Sequence, residues 1–153
     1  MINSRSHMDL RPAVRDRMLE FVAIAELELS AKWDKRVKLV ATSTLRDNEM
    51  QASLYAQGRT APGKIVTNSK PGDSWHNYAC AVDYALQLDG TITWEPKYYE
   101  ELGVIAKRLG LTWGGDWDAD GQKDKNDFDL VHFQWTGGLT LADLKAGRAT
   151  EIV

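Results

Sequence analysis

Ala81-Val82-Asp83-Tyr84-Ala85-Leu86-Gln87-Leu88-Asp89-Gly90-Thr91-Ile92-Thr93-Trp94 is the stretch whose reading decides the fold. Ala81 to Leu86 reads as a buried strand, Asp89-Gly90 as a tight hairpin turn, and Thr91 to Trp94 as the returning strand. An antiparallel pair is therefore written locally. Alternation along the first strand puts Ala81, Asp83 and Ala85 on one face and Val82, Tyr84 and Leu86 on the other. The small neighbours leave room around Asp83, a carboxylate on a surface otherwise built to pack.

Upstream, Pro12 sits where a first helical turn tolerates it. Val14, Met18, Phe21, Val22, Ala25 and Leu29 then recur at helical spacing, which predicts an amphipathic helix over about 11–31. Val37 to Thr42 alternates as a strand, and Asp47 caps a short helix carrying Met50, Gln51 and Leu54 that Gly58 ends. From Gly58 to Asp73 the chain is rich in Gly, Pro, Ser, Asn and Lys without periodicity, a long loop leading into His76. Downstream, Pro96 opens a helix through Leu109 that Gly110 stops. Leu130 to Trp135 reads as a strand, with His132 and Gln134 facing one way and Val131, Phe133 and Trp135 facing the core. Thr140 with Asp143 starts a last short helix in the manner of a capping box. Helices and strands in this mixed order predict an α+β fold, a small mainly antiparallel sheet flanked by helices in a single domain.

The bulk properties agree. With 153 residues, 43% hydrophobic and 27% charged, the chain suits one globular domain. Its longest apolar run, near Phe21 to Ala25, is far too short to cross a membrane. A formal net charge of −3 without a basic stripe gives no electrostatic case for nucleic acid. The lone cysteine, Cys80, rules out an intramolecular disulfide and reads as a small buried residue. No charged-then-apolar leader opens the chain. Met1 to His7 resembles an expression-vector remnant, so it is set aside and 8–153 is taken as the domain.

Of three histidines, His7 lies in the segment set aside, and His76 and His132 each stand near an aspartate. A catalytic zinc needs three protein ligands and an open fourth position, and His76, Asp83 and His132 supply that donor set. Asp129 is the candidate base. Residues three apart on an extended strand point to opposite faces, so Asp129 and His132 can serve one centre only if the chain bends near Asp129 or Leu130. Any one of these residues alone is more often a satisfied core histidine or a turn-capping aspartate; together they favour a metal. There is no HExxH helix, and with no cysteine in the donor set a purely structural zinc site is disfavoured.

Ser74-x-His76-x-x-Ala79-x-Ala81-x-Asp83, then Trp113-Gly114-Gly115-Asp116-Trp117, then Asp129-x-x-His132-Phe133-Gln134 resembles the LAS-type zinc peptidases. These include the VanY-like D,D-carboxypeptidases and the phage endolysins that cleave between L-Ala and D-Glu in peptidoglycan stems. The likeness runs from about Ser43 to Trp135. It implies a LAS/hedgehog-like fold, one catalytic Zn2+ on His76, Asp83 and His132, and Asp129 as general base. By the same likeness Arg46 binds substrate and steadies the developing oxyanion, with Gln51 and Ser74 as supporting polar residues. Trp75 and Tyr78, beside the loop, are candidates to contact a glycan or stem peptide, while the other aromatics near the motifs, Trp113, Trp117 and Trp135, read as core. The chain departs from the pattern at Ala79, where the family has glycine, and an alanine there argues against a positive φ.

The Gly-Gly-Asp-Trp element and the small size lean toward the endopeptidase branch. The expectation is a monomeric endolysin of phage type, made in the host cytoplasm without a signal peptide and released to the wall by a holin, the last implied by resemblance alone. Two alternatives stand beside it: a D,D-carboxypeptidase or dipeptidase acting on D-Ala termini, and a non-catalytic zinc-containing wall-binding module. A second metal is also suggested. Asp116-x-Asp118-x-Asp120-Gly121, with Asp127 at the twelfth position, fits the start of a calcium loop. Lys123 stands where an apolar residue is expected and Asp127 where glutamate is. The calcium loop and a solvated acidic loop both remain open.

Overall fold

Pro12 begins a 22-residue helix, Pro12–Trp33 (α1), whose Val14, Met18, Phe21, Ala25 and Leu29 are buried along one face; it ends at Asp34 in the left-handed region. The computed structural model describes residues 1–120 and 129–153. After α1 come β1 (Val37–Ser43) and α2 (Asn48–Ala56), the latter capped by the Asp47 carboxylate, which accepts from the Met50 N–H at 2.8 Å. The long loop follows and runs into a 3-10 turn, Trp75–Tyr78. Then β2 (Ala81–Leu88) and β3 (Thr91–Thr93) form the expected hairpin, with Asp89 and Gly90 at φ 50° and 86° as a type I′ turn requires. The remaining elements are α3 (Pro96–Arg108), β4 (Thr112–Trp113), β5 (His132–Gln134) and α4 (Leu141–Lys145). Thr140 and Asp143 make the reciprocal capping box at the head of α4.

The sheet runs β1-β2-β5-β4, every pairing antiparallel, with β3 added to β2. Val82, Tyr84 and Leu86 of β2 enter the core, where Phe21 of α1 lies 4.9 Å from the Phe133 ring and 6.0 Å from Tyr84. The opposite face of β2 carries Asp83. Where β1 passes it, the register slips between Ala41 and Ser43, a bulge that leaves the Thr42 hydroxyl donating to the Asp83 carbonyl at 3.3 Å. No helix among the described residues is long and apolar enough to cross a membrane.

Three expectations change. The strand expected over 130–135 is shorter, because Leu130 and Val131 lie in a turn closed by the His132 N–H on the Asp129 carbonyl at 3.2 Å. That turn is the bend foreseen between Asp129 and His132. The pair Thr112–Trp113, too short to carry a period, was not foreseen as a strand. Residues 1–7 do not stand outside the fold. Ser4 donates to the Leu45 carbonyl at 2.8 Å, Thr44 to the Ser4 carbonyl at 2.7 Å, and Asp47 to the Ile2 carbonyl at 3.0 Å. The β1–α2 corner exposes backbone groups that this segment pairs. His7 also stacks on Tyr84, its Nε2 at 2.7 Å from the hydroxyl.

Candidate active site

Asp83 and His132 are cross-strand partners on β2 and β5, and His76 stands on the 3-10 turn that delivers the chain into β2. Ser74 caps that turn, its hydroxyl accepting from the His76 N–H at 3.3 Å. Ala79 leaves it at φ 60°, so the left-handed conformation is present here with an alanine, contrary to the expectation from sequence. His76 Nε2 lies 3.1 Å from Asp83 Oδ1 and His132 Nδ1 lies 3.3 Å from the same oxygen.

The far nitrogen of each ring settles what faces inward. His76 Nδ1 sits 2.8 Å from the Thr44 carbonyl oxygen, an acceptor, so it carries the proton. His132 Nε2 sits 2.8 Å from Gln134 Oε1 and donates likewise. In the neutral rings, two lone pairs and a carboxylate oxygen therefore converge on one small space with no hydrogen between them. Acceptors so arranged repel one another unless a proton or a cation lies among them, and second-sphere acceptors of this kind, taking the far N–H, fix metal-ligating histidines. One ligand atom from each of His76, Asp83 and His132 lies within 4.8 Å of the others, so the donor set fits zinc. The electrostatics run the same way. Burial pushes Asp83 up, yet the two imidazoles outweigh it and hold the carboxyl well below the usual range. Burial pulls His132 down, yet its hydrogen bond to Asp83 and the charges of Asp83 and Asp129 leave it raised.

Asp129 faces the same cavity, of about 340 Å3, and keeps solvent access there. Desolvation by the surrounding atoms raises its pKa, opposed by His132 and reinforced by the Asp83 charge. Gly114 positions it: Asp129 donates its N–H to the Gly114 carbonyl at 2.7 Å, and Gly114 donates to the His132 carbonyl at 2.8 Å. A Cβ on Gly114 would stand 2.3 Å from the Asp129 carbonyl oxygen, which explains why glycine occupies this position.

Arg46 is nearly buried and reaches the same cavity, with Nη1 donating to Gln51 Oε1 at 3.0 Å, Nη2 to the Ser43 hydroxyl at 3.0 Å, and Nη2 also 3.8 Å from Asp83 Oδ2. Gln51 is fully buried, and its amide donates to the Ser69 carbonyl at 2.8 Å, so it ties Arg46 to the long loop. Ser74 and Trp75 line the cavity. Tyr78 is not among its lining residues; its hydroxyl donates to the Gly72 carbonyl at 2.7 Å, a brace for the loop. Trp117 departs from the reading as core: it is 41% exposed, lines the cavity and lies 5.2 Å from the His132 ring. Its place after the Gly-Gly-Asp element was the signal available for it. Asn3 also lines the cavity and was missed because its segment had been set aside. Cys80 is buried as expected, its thiol pushed up to about 11 by that burial.

The carboxylates of Asp116, Asp118 and Asp120 lie close together, but Asp116 is buried against Lys107 at 2.8 Å, which already neutralises it. Asp127 lies outside the described residues. The calcium reading gains no support, since clustered acidic groups are common without an ion.

A family model described as D-alanyl-D-alanine carboxypeptidase matches residues 67–135. The chain is 40% identical over 119 residues to the peptidoglycan L-alanyl-D-glutamate endopeptidase CwlK of Bacillus subtilis (strain 168), covering 71% of this chain and 67% of that one. The crystal structure of the Serratia marcescens L-Ala D-Glu endopeptidase ChiX superposes with a TM-score of 0.51 at 22% identity, covering 94% of this chain and 92% of that one. A vancomycin resistance D,D-pentapeptidase, VanY, in complex with Zn(II), gives a TM-score of 0.53 at 16% identity over 90% of this chain and 78% of its own. These two show a shared fold. The motifs from Ser74 to Gln134, the antiparallel sheet that carries them and the identity to the Bacillus enzyme together make this chain a member of the LAS-type metallopeptidases, the D-alanyl-D-alanine carboxypeptidase family.

Proposed function

We propose that the protein is a zinc-dependent endopeptidase that hydrolyses the L-Ala–D-Glu bond of peptidoglycan stem peptides, acting as an endolysin of phage type. The observation that carries this reading is the convergence of three acceptor atoms, from His76, Asp83 and His132, at a cavity that Asp129 and Arg46 also line. Zinc held there would act as a Lewis acid toward the scissile carbonyl and lower the pKa of water. Asp129, its pKa raised within the site, takes a proton from the attacking water and returns it to the departing amine. Arg46, pinned by Gln51 and Ser43, offers a permanent positive charge to the carbonyl oxygen as negative charge develops. Ser74 and the Thr44 carbonyl hold His76 in orientation. Trp75 and Trp117 supply aromatic walls for the stem.

The likeness to the Bacillus L-alanyl-D-glutamate endopeptidase supports the bond cleaved. The family model's carboxypeptidase description keeps a second reading, removal of terminal D-Ala. Such an enzyme needs a cation for the free terminal carboxylate. Among the described residues lining the cavity, Arg46 is the one lysine or arginine, and in the mechanism above it serves the scissile carbonyl, which leaves no second cation there for a terminal carboxylate. That favours the endopeptidase. In this reading the protein works as a monomer, and a holin releases it from the host cytoplasm to the wall. Mass spectrometry of sacculi digested by zinc-loaded protein tests it. New L-Ala carboxyl termini and freed peptides starting at D-Glu are expected; stems shortened only at D-Ala would replace it with the carboxypeptidase, and binding without any product would leave a wall-binding module.

A further inference from the structure

We propose that Asn3 is a substrate-binding residue, delivered to the mouth of the cavity by the amino-terminal segment; the proposal rests on the peptidase reading above. Asn3 bridges to Arg46 across the β1–α2 corner, and the backbone bonds of Ile2 and Ser4 to Asp47, Thr44 and Leu45 clamp it on both sides. An exposed residue held this way has a fixed position without the need of burial. Its side chain is oriented as well. The Ser43 hydroxyl, which accepts from Arg46 Nη2 at 3.0 Å, has one proton and donates it to Asn3 Oδ1 at 2.8 Å. With the carbonyl end turned to Ser43, the amide NH2 is the end left to the cavity that Asn3 lines.

The same cavity is lined by Leu54 and Val66, apolar groups that offer no hydrogen bonds, and by the hydroxyls of Thr67 and Ser69. The Asn3 amide contributes two neutral donors beside Arg46, suited to an acceptor oxygen of an extended peptide: a backbone carbonyl or a side-chain carboxylate of the stem. Arg46 keeps its other anchor, Gln51, whatever occupies position 3. The contact is expected to appear in substrate binding rather than in turnover.

Steady-state kinetics on a synthetic stem peptide with zinc-loaded protein tests this with two variants. Asn3→Ala should raise KM roughly three- to tenfold, the worth of one net hydrogen bond, with kcat within about twofold. Asn3→Asp keeps the acceptor for Ser43 but loses the donors, and should raise KM at least as much; this separates substrate contact from support of Ser43. Equal KM for wild type and both variants overturns the proposal, as does a fall in kcat alone. Calorimetry with the same peptide keeps this distinct from the peptidase reading. A wild type that binds the peptide without cutting it, with Asn3→Ala binding more weakly, upholds Asn3 and sinks the peptidase; a wild type that cuts normally with unaltered Asn3 variants does the reverse.

Discussion

Asp83 and His132 sit directly opposite each other on β2 and β5, and the His132 Nδ1 stands 3.3 Å from the Asp83 carboxylate. The register of the sheet, rather than a flexible loop, thus sets the distance between two of the three candidate ligands. A slip of one residue would turn a ligand to the other face. His76 joins them from a capped turn fixed to the Thr44 carbonyl. A site assembled this way is preorganised before any ion arrives.

Acidity competes with the ion. The metal-free His132 has its pKa raised above 6.5: burial lowers it, but Asp83, Asp129 and Gln134 outweigh that burial. A group raised in the folded state stabilises the metal-free fold at pH below its unfolded value, and that contribution is lost as pH rises through the raised pKa. Zinc needs the same Nδ1 deprotonated, so apparent zinc affinity should weaken as pH falls through a value above 6.5. Chelator competition between about pH 8 and about pH 6 should show that decline; a flat profile would contradict it.

Asp129 is expected to act on protons and not on metal retention. Asp129→Asn should keep zinc while reducing kcat by roughly 10²- to 10⁴-fold on a stem peptide. Unchanged turnover would remove Asp129 from the proposed mechanism.

Gly114→Ala should damage the site through the backbone. The added methyl would meet the Asp129 carbonyl at 2.3 Å and the His132 Cβ at 3.0 Å, so both residues must move. Overpacking of this kind costs about 1–3 kcal/mol, and a lowered thermal midpoint with lost activity is expected. Full activity would show that Asp129 and His132 tolerate displacement.

Ala79 offers a gain. Its φ of 60° is a conformation that L residues with a Cβ adopt at a cost of about 1–2 kcal/mol, and glycine adopts freely. Ala79→Gly should stabilise the protein by up to about 1 kcal/mol after the unfolded-state entropy of glycine is counted, with the candidate ligands undisturbed. Calorimetric melting checks it; a lower midpoint would mean that the methyl group packs usefully.

Much of this architecture was legible from local patterns. The Asp89-Gly90 turn fixed the hairpin, the buried face of α1 followed a clean helical period, and Asp47 and Thr140 announced the helices they cap. The bend between Asp129 and His132 followed from strand alternation together with the expectation that both residues serve one centre. What escaped was carried by backbone hydrogen bonds, which leave no side-chain pattern: the two-residue strand at Thr112–Trp113 and the pairing of residues 2–4 with the corner at 44–47. Trp117 was misjudged because an aromatic ring suits a core and a cavity wall equally, and only the fold decides which it meets.

The most direct test is elemental analysis of protein stripped with chelator, resupplied with zinc and desalted. About one zinc per chain is expected for the wild type and for Asp129→Asn, and markedly less for Asp83→Ala and His132→Ala. Wild-type protein that retains none, or that retains it equally after Asp83 and His132 are replaced, would contradict the account.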